Sequence, residues 1–232
     1  MFDRTFAQEF LQTIDDPGKH GVHLLFNAYW RFMPDDVRQA YVQGLRNDPE
    51  VRAWLDARWF PEPYSFDSLG SLAPGSLGRE YHRHIVENNL NREIASGYRA
   101  FHEGLEASGA LDGMPDDVKY AVLRGFQIHD LLHIVTGLDT TGLGEIALQS
   151  FCMAQMRSLY FAIWISVVTT RAAFLQPDST LPLMDAVMDG WMLGRNVAQL
   201  QTVAWERHLS RPVSEIRREF RIPEHRMMKT AA

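Results

Sequence analysis

The sequence predicts an all-α fold, a helical bundle-like domain with a metal site on a helical hairpin. Apolar residues repeat at intervals of three or four, and few runs alternate with a period of two. Helix-start signals recur, as in Pro34-Asp35-Asp36, Asp48-Pro49-Glu50 and Pro115-Asp116-Asp117. Three long helices and several short ones make such a bundle.

The N-terminal part is predicted to be helical and to belong to the same domain as the rest. Helices are expected over Phe2 to Ile14, Asp35 to Leu45 and Pro49 to Trp59, with an apolar, aromatic segment from His23 to Phe32. A Pro- and Ser-containing connector follows from Phe60 to Ser71. Since roughly 60 residues make a marginal core alone, we expect one domain over 1–232, with N-terminal helices in 1–60 and the core in 72–222.

The remaining elements follow from turns and apolar stripes. The turn Leu72 to Gly78 leads into a helix that includes Tyr81 and Ile85, and the polar stretch from Asn88 to Met114 is left without an assignment. The three long helices begin at Pro115, at about Leu143 (to Phe174) and at Leu183 (to about Leu209), and a short one covers Val213 to Phe220. Gly190, Gly194 and Ala198, spaced by four, predict close helix approach.

Composition excludes several classes of protein. The chain has 232 residues and a net charge of −6, so nucleic acid is not an expected partner. A single cysteine, Cys152, excludes an intramolecular disulfide and fits a reducing compartment. The most apolar run, Ser158 to Thr170, is too short for a span of about 20 residues and predicts a buried helix. With no targeting segment visible, we expect a bacterial cytoplasmic protein.

The segment His129 to Glu145 carries the chemistry. His129 and His133 are four residues apart on a predicted helix, so their imidazoles lie on one face and are close enough to share a metal ion. Asp130 borders that face, at about 100° from His129, and could add an oxygen. On an unbroken helix Glu145 would lie about 18 Å from His133 along the axis.

Glycines between the two helices can bring Glu145 close to the histidines. Gly137, Gly142 and Gly144 predict a turn between two antiparallel helices, and the turn returns Glu145 toward the histidines. Two imidazoles with one or two carboxylates suit a divalent ion of borderline softness. The simpler interpretation is that His129 and His133 belong to a core stripe and are buried and hydrogen-bonded, but the added carboxylates favour the metal.

Two other functions stay open at this point. A metal-dependent phosphohydrolase of the HD class also uses an adjacent His-Asp pair. It would need His102 upstream and Asp185 or Asp189 downstream, and it leaves His133 and Glu145 unexplained. A non-catalytic lipid-binding scaffold would use the metal only to hold the hairpin together. Arg79 and Arg195 are candidate anion partners, although exposed arginine is the default.

Several motifs resemble those of the coenzyme Q (ubiquinone) biosynthesis protein four family. His129, Asp130 and His133, then eleven residues and Glu145, match its HDxxH-Glu hallmark. The segment Leu72 to Tyr81 is similar to its Pro-Gly-Thr-Leu-Gly-x-x-Tyr element, and Gly190 to Ile222 to its C-terminal signature. The resemblance covers about residues 60–222. The chain departs from the family at Gln127-Ile128 and at Cys152, where many members carry glutamate, and lacks an expected proline within 159–163.

The resemblance implies a role in making ubiquinone. Family members are all-α, act on a prenylated ring derived from 4-hydroxybenzoate by oxidative loss of the carboxylate with hydroxylation at that carbon, and also organise the biosynthetic enzymes. They bind a divalent metal, usually zinc, with iron or manganese as alternatives, and His129, Asp130, His133 and Glu145 would be its ligands here. Expected partners are a prenylated aromatic or polyprenyl lipid, other ubiquinone biosynthesis enzymes, a second copy of the chain and the inner membrane surface, bound peripherally.

Overall fold

The all-α prediction is confirmed by the computed structural model of the chain. The structure describes residues 3–62, 64–90 and 92–223, the side chains of 92–98 excepted, and these residues form α-helices, two 3₁₀ turns and no strand. The helices are α1 (Arg4–Asp15), α2 (Pro17–His20), α3 (Val22–Phe32), α4 (Asp35–Arg46), α5 (Pro49–Ala57), α6 (Phe66–Leu69), α7 (Leu77–Glu87), α8 (Arg92–Ala107), α9 (Asp116–Thr136), α10 (Gly142–Met156), α11 (Leu159–Leu175), α12 (Thr180–Asn196) and α13 (Val213–Glu219).

The N-terminal helices begin where the acidic and proline signals predicted. The Asp48 carboxylate accepts hydrogen bonds from the backbone N–H groups of Glu50 and Val51, and so caps α5. Asp3 caps α1 in the same way, while Phe2, the predicted first residue of that helix, lies outside the described residues. The predicted connector from Phe60 to Ser71 contains the short helix α6, and the unassigned stretch from Asn88 to Met114 contains α8.

The predicted helix from Leu143 to Phe174 is wrong, because the chain breaks it into α10 and α11. Arg157 has a positive φ of 52° and its N–H bonds back to the Met153 carbonyl, which ends α10. Ser158 then caps α11 by accepting from the Tyr160 N–H. Helix α11, predicted to be buried, is mostly half-buried, with only Val167 and Ala172 buried. In the described residues no helix is both long and apolar enough to cross a bilayer.

The helix predicted over Leu183 to Leu209 begins earlier and ends at Asn196. The Gln155 side chain bonds the backbone beyond this point, donating to the Ala198 carbonyl over 2.7 Å and accepting from the Leu200 N–H over 2.7 Å. These bonds replace the ones that a continuing helix would make.

Helix α9 lies within the main hydrophobic core. Its buried side chains Leu131, Leu132 and Val135 pack with residues from α7, α10 and the C-terminal segment. On the other side of the core α10 packs closely on α12: a Cβ at Gly190 would lie 1.8 Å from the Ala147 carbonyl oxygen. The close approach predicted from the small residues of α12 is thus observed at Gly190.

Candidate metal centre

The turn between α9 and α10 is built from glycine and threonine. Gly137 ends α9 with a φ of 80°, a left-handed conformation that glycine adopts without strain. The Thr141 hydroxyl then caps α10 by accepting from the Gly144 N–H. A Cβ at Gly144 would lie 2.1 Å from the Asp139 carbonyl oxygen, so a side chain there would displace the turn. These features place Glu145 in the first turn of α10 and return it to α9, as the sequence predicted.

His129, His133 and Glu145 converge. His129 Nε2 lies 3.3 Å from Glu145 Oε2, and His133 Nε2 lies 3.2 Å from Glu145 Oε1. The candidate ligand atoms of the three residues all lie within 4.8 Å of one another. Two ligands at about 2.05 Å from one tetrahedral ion are about 3.3 Å apart. The two imidazole–carboxylate distances match this separation, as expected for ligands of a single small cation.

Hydrogen bonds on the outer side of each imidazole set its tautomer. His133 Nδ1 lies 2.9 Å from the Leu138 carbonyl, which only accepts, so the proton is on Nδ1. His129 Nδ1 lies 3.0 Å from the Asp130 carboxylate, which likewise accepts. His133 then presents its Nε2 lone pair toward Glu145, whereas the His129 ring meets a carboxylate at both nitrogens and holds a proton on Nε2 that a cation would displace. His133 Nε2 is buried without a hydrogen-bond partner, the arrangement that a cation relieves.

The charges around His129 favour a positive charge at this point. Burial lowers the pKa of His129, but hydrogen bonds from the ring to Asp130 and Glu145 outweigh it and raise the pKa to about 9. For Glu145, burial raises the pKa, but the two histidines outweigh it and the pKa is lowered. The same carboxylates that hold a proton on His129 would attract a metal ion in its place.

Asp130 lies on the opposite side of the His129 ring from Glu145. Its carboxylate contacts Nδ1 of His129, the ring nitrogen opposite the one that faces Glu145. This is the geometry of a hydrogen-bond partner that orients a ligating imidazole, one of the two roles that the sequence left open for Asp130.

An apolar cavity of about 390 Å³ opens next to these residues. His129, Asp130 and Glu145 form part of its wall, and the rest is mostly apolar or aromatic, including Val122, Phe126, Met156, Phe161 and Trp164. Val122 and Phe126, which precede His129 at helical spacing on α9, thus line the cavity with it. The size and lining suit an apolar small molecule held beside the polar group.

Residues from the C-terminal signature hold α9 in place. Arg124 of α9 makes a bidentate ion pair with Glu206, at 2.8 and 3.0 Å. Arg217 of α13 donates to the carbonyls of Val135 and Ile134, at 2.9 and 2.8 Å, at the end of the helix that carries His133. The HDxxH motif and the C-terminal signature are therefore parts of one packed unit.

Other residues singled out in the sequence do not join the centre. Asp185 and Asp189 lie on α12 and His102 on α8, and none of them lines the cavity or belongs to the converging group. Arg79 and Arg195 are exposed and are not part of the cavity wall. The arrangement that a phosphohydrolase of the HD class requires is not formed by these residues.

Three residues that sequence reasoning did not assign lie close to the centre. The His84 ring of α7 stacks on that of His133, with centroids 6.0 Å apart. Tyr81 and Gln149 line the cavity. Tyr81 is the last residue of the segment Leu72 to Tyr81 that resembles the family element. Gln149 follows Glu145 by four residues, so helical spacing from Glu145 could have identified it.

Comparison with known proteins points to one family. A family model described as coenzyme Q (ubiquinone) biosynthesis protein Coq4 matches residues 114–225. A mitochondrial ubiquinone biosynthesis protein COQ4 homolog from Danio rerio is 26% identical over 184 residues, covering 78% of this chain and 62% of that protein. The homolog from Nematostella vectensis is 26% identical over 192 residues, covering 79% of each chain.

The fold has a solved counterpart. A crystal structure from Nostoc punctiforme, of a protein provisionally described as a ubiquinone biosynthesis protein, superposes with a TM-score of 0.74 at 23% identity. The superposition covers 97% of this chain and 100% of that one, and shows that the two share a fold.

Proposed function

Because the chain belongs to the coenzyme Q (ubiquinone) biosynthesis protein family, we propose that it acts on a prenylated ring derived from 4-hydroxybenzoate. The reaction proposed is oxidative loss of the ring carboxylate, with hydroxylation at the carbon that carried it. The observation that carries this proposal is the convergence of His129, His133 and Glu145 beside an apolar cavity, whose wall includes His129 and Glu145. A polar group at one end and an apolar wall match a substrate with a carboxylate and a hydrocarbon tail.

In this proposal the Nε2 atoms of His129 and His133 and the carboxylate of Glu145 would hold a divalent ion. When bound, such an ion supplies a Lewis acid for an aryl carboxylate and, if it is iron or manganese rather than zinc, a redox centre. Asp130 fixes the His129 tautomer through Nδ1, and the Leu138 carbonyl does the same for His133. The donor set is therefore oriented before any ion arrives.

The cavity wall would bind the ring and its prenyl tail. Phe126, Phe161 and Trp164 offer apolar surface to the ring and the start of its prenyl tail, and exclude water from the reacting carbon. Burial raises the pKa of Tyr160, which also lines the cavity, so its hydroxyl stays protonated at neutral pH and can donate a hydrogen bond to a bound oxygen.

A second candidate function is a scaffold that binds prenyl lipid, keeps the metal for structure and organises the other biosynthetic enzymes. Its support is the outer face of α12, where Leu181, Met184, Met188 and Met192 are exposed. Such a face suits a partner enzyme or peripheral contact with the membrane that holds the substrate. In this case the metal would hold α9 and α10 together.

Turnover and stability measured on Glu145→Gln separate the two functions. Purified protein supplied in turn with Fe²⁺, Mn²⁺ and Zn²⁺ is given oxygen and a prenylated 4-hydroxybenzoate-derived acid labelled with ¹³C in the carboxylate. An enzyme releases labelled CO₂, and E145Q melts close to wild type but releases at least a hundredfold less. The exposed residue Glu215, changed to Gln, is the matched control and retains activity. No labelled CO₂ from wild type with any of the metals, together with a lowered melting temperature of E145Q, would favour the scaffold.

A further inference from the structure

Gln149 is a buried polar residue of the cavity wall. It follows Glu145 by four residues on α10, so the two side chains share a face and lie about 6 Å apart along the axis. Both line the apolar cavity. Gln149 is 5% exposed, and its Oε1 atom is buried without a hydrogen-bond partner.

The polar neighbours of Gln149 on α10 already have partners. The Ser150 hydroxyl donates to the Val187 carbonyl over 2.6 Å. Cys152 Sγ accepts from Gln201 Nε2 at 2.9 Å. Nearly all buried polar atoms in proteins are paired, so a buried, unpaired amide oxygen on a residue of the cavity wall marks a position where a ligand that reaches it supplies the missing donor.

We infer that Gln149 accepts a hydrogen bond from a hydroxyl group on the aromatic ring that occupies this cavity, and so selects hydroxylated over alkoxylated rings. The inference rests on the proposed function for the presence of an aromatic ring next to Glu145. Gln149 acts as a specificity-determining residue and takes no part in bond breaking.

The chemistry of the amide favours a neutral donor. A carboxamide oxygen is an uncharged acceptor, which a phenol O–H matches and a carboxylate does not. The carboxylate of the same ring would bind at the cation that His129, His133 and Glu145 would hold. A ring bound in this way has its acid end at the first turn of α10 and its hydroxyl one turn further along. That axial separation is about 6 Å, similar to the span of a benzene ring from its carboxylate to a para hydroxyl group.

Binding of two matched probes tests the inference. The probes are a 4-hydroxybenzoate with a saturated ten-carbon chain on carbon 3 and the same compound with a 4-methoxy group, and affinities are measured by isothermal titration calorimetry. Wild type is expected to bind the hydroxy probe about tenfold more tightly, the value of one neutral hydrogen bond. Gln149→Leu is expected to bind both probes equally, with its affinity for the methoxy probe unchanged or raised.

A control variant and two kinds of contrary result complete the test. The exposed residue Gln43, changed to Leu, keeps the tenfold preference. If Q149L does not fold, Gln149→Met, which keeps the chain length, takes its place. Equal binding of both probes by wild type, or an unchanged preference in the variant, overturns the role of Gln149 while leaving the proposed function standing. Binding of neither probe by wild type contradicts the proposed function, and the inference with it.

Discussion

Replacement of Glu206 by Gln tests how the C-terminal segment stabilises the helix of the metal motif. The Arg124 and Glu206 side chains are only 2% and 7% exposed, and the guanidinium lies 5.0 Å from the centre of the Trp59 ring. The substitution keeps the shape of the side chain but leaves the buried charge of Arg124 uncompensated. Breaking a buried pair from one side costs about 3–5 kcal/mol.

That free energy converts to a measurable change in melting temperature. A chain of this size loses about 2–4 °C per kcal/mol, so E206Q is expected to melt roughly 6–20 °C below wild type. Circular dichroism on heating and urea denaturation give the two quantities. The double variant R124M/E206M, which removes both charges, is expected to recover most of the loss.

A surface pair supplies the control. Arg211 and Glu219 also form an ion pair, but their side chains are 32% and 50% exposed. Glu219→Gln is therefore expected to change the free energy of unfolding by no more than about 1 kcal/mol. If E206Q were to melt within 2 °C of E219Q, the buried pair would not stabilise the fold, and the reasoning would be refuted.

Two further predictions concern packing and pH. Gly190→Ala is expected to lower the melting temperature by several degrees, because the added Cβ would lie 1.8 Å from the Ala147 carbonyl oxygen. Gly104→Ala, whose added Cβ would have nothing within 4 Å, is expected to raise the melting temperature slightly. Thermal melts of both variants check this. Burial lowers the pKa of His102 below 6.5, so the unfolded chain binds more protons there and the stability contribution is lost as pH falls below 6.5. Urea denaturation between pH 5 and 7.5 should show a smaller loss in His102→Phe than in wild type, and an equal loss would show that this histidine does not contribute.

The candidate centre could be predicted from the sequence because its signals are local. The four-residue spacing of His129 and His133 fixes a shared helix face, and the glycine turn returns Glu145 to it. The role of Asp130 could not be predicted, since a residue next to a ligand in sequence can bind either the ion or Nδ1 of the neighbouring imidazole. The all-α class followed from periodicity, and the single-domain organisation stays a prediction.

The errors in the helices come from tertiary contacts and unusual backbone conformations. No sequence pattern predicted that Arg157 would have a positive φ and divide the predicted long helix. The end of α12 depends on Gln155, which lies more than forty residues earlier and bonds the backbone of Ala198 and Leu200. Helix α8 was left unassigned, because polar residues and glycines obscured its pattern. That the Gln149 amide oxygen is buried without a partner is known only from the folded structure.

Metal content tests the central claim that His129, His133 and Glu145 hold one divalent cation. The measurement is elemental mass spectrometry of protein purified without chelator, with His133→Ala and Glu145→Gln beside wild type. We expect about one equivalent of zinc, iron or manganese in wild type and less than about a tenth of that in each variant. No metal in wild type, or the same content in all three proteins, would contradict it and reduce the centre to a buried hydrogen-bonded cluster.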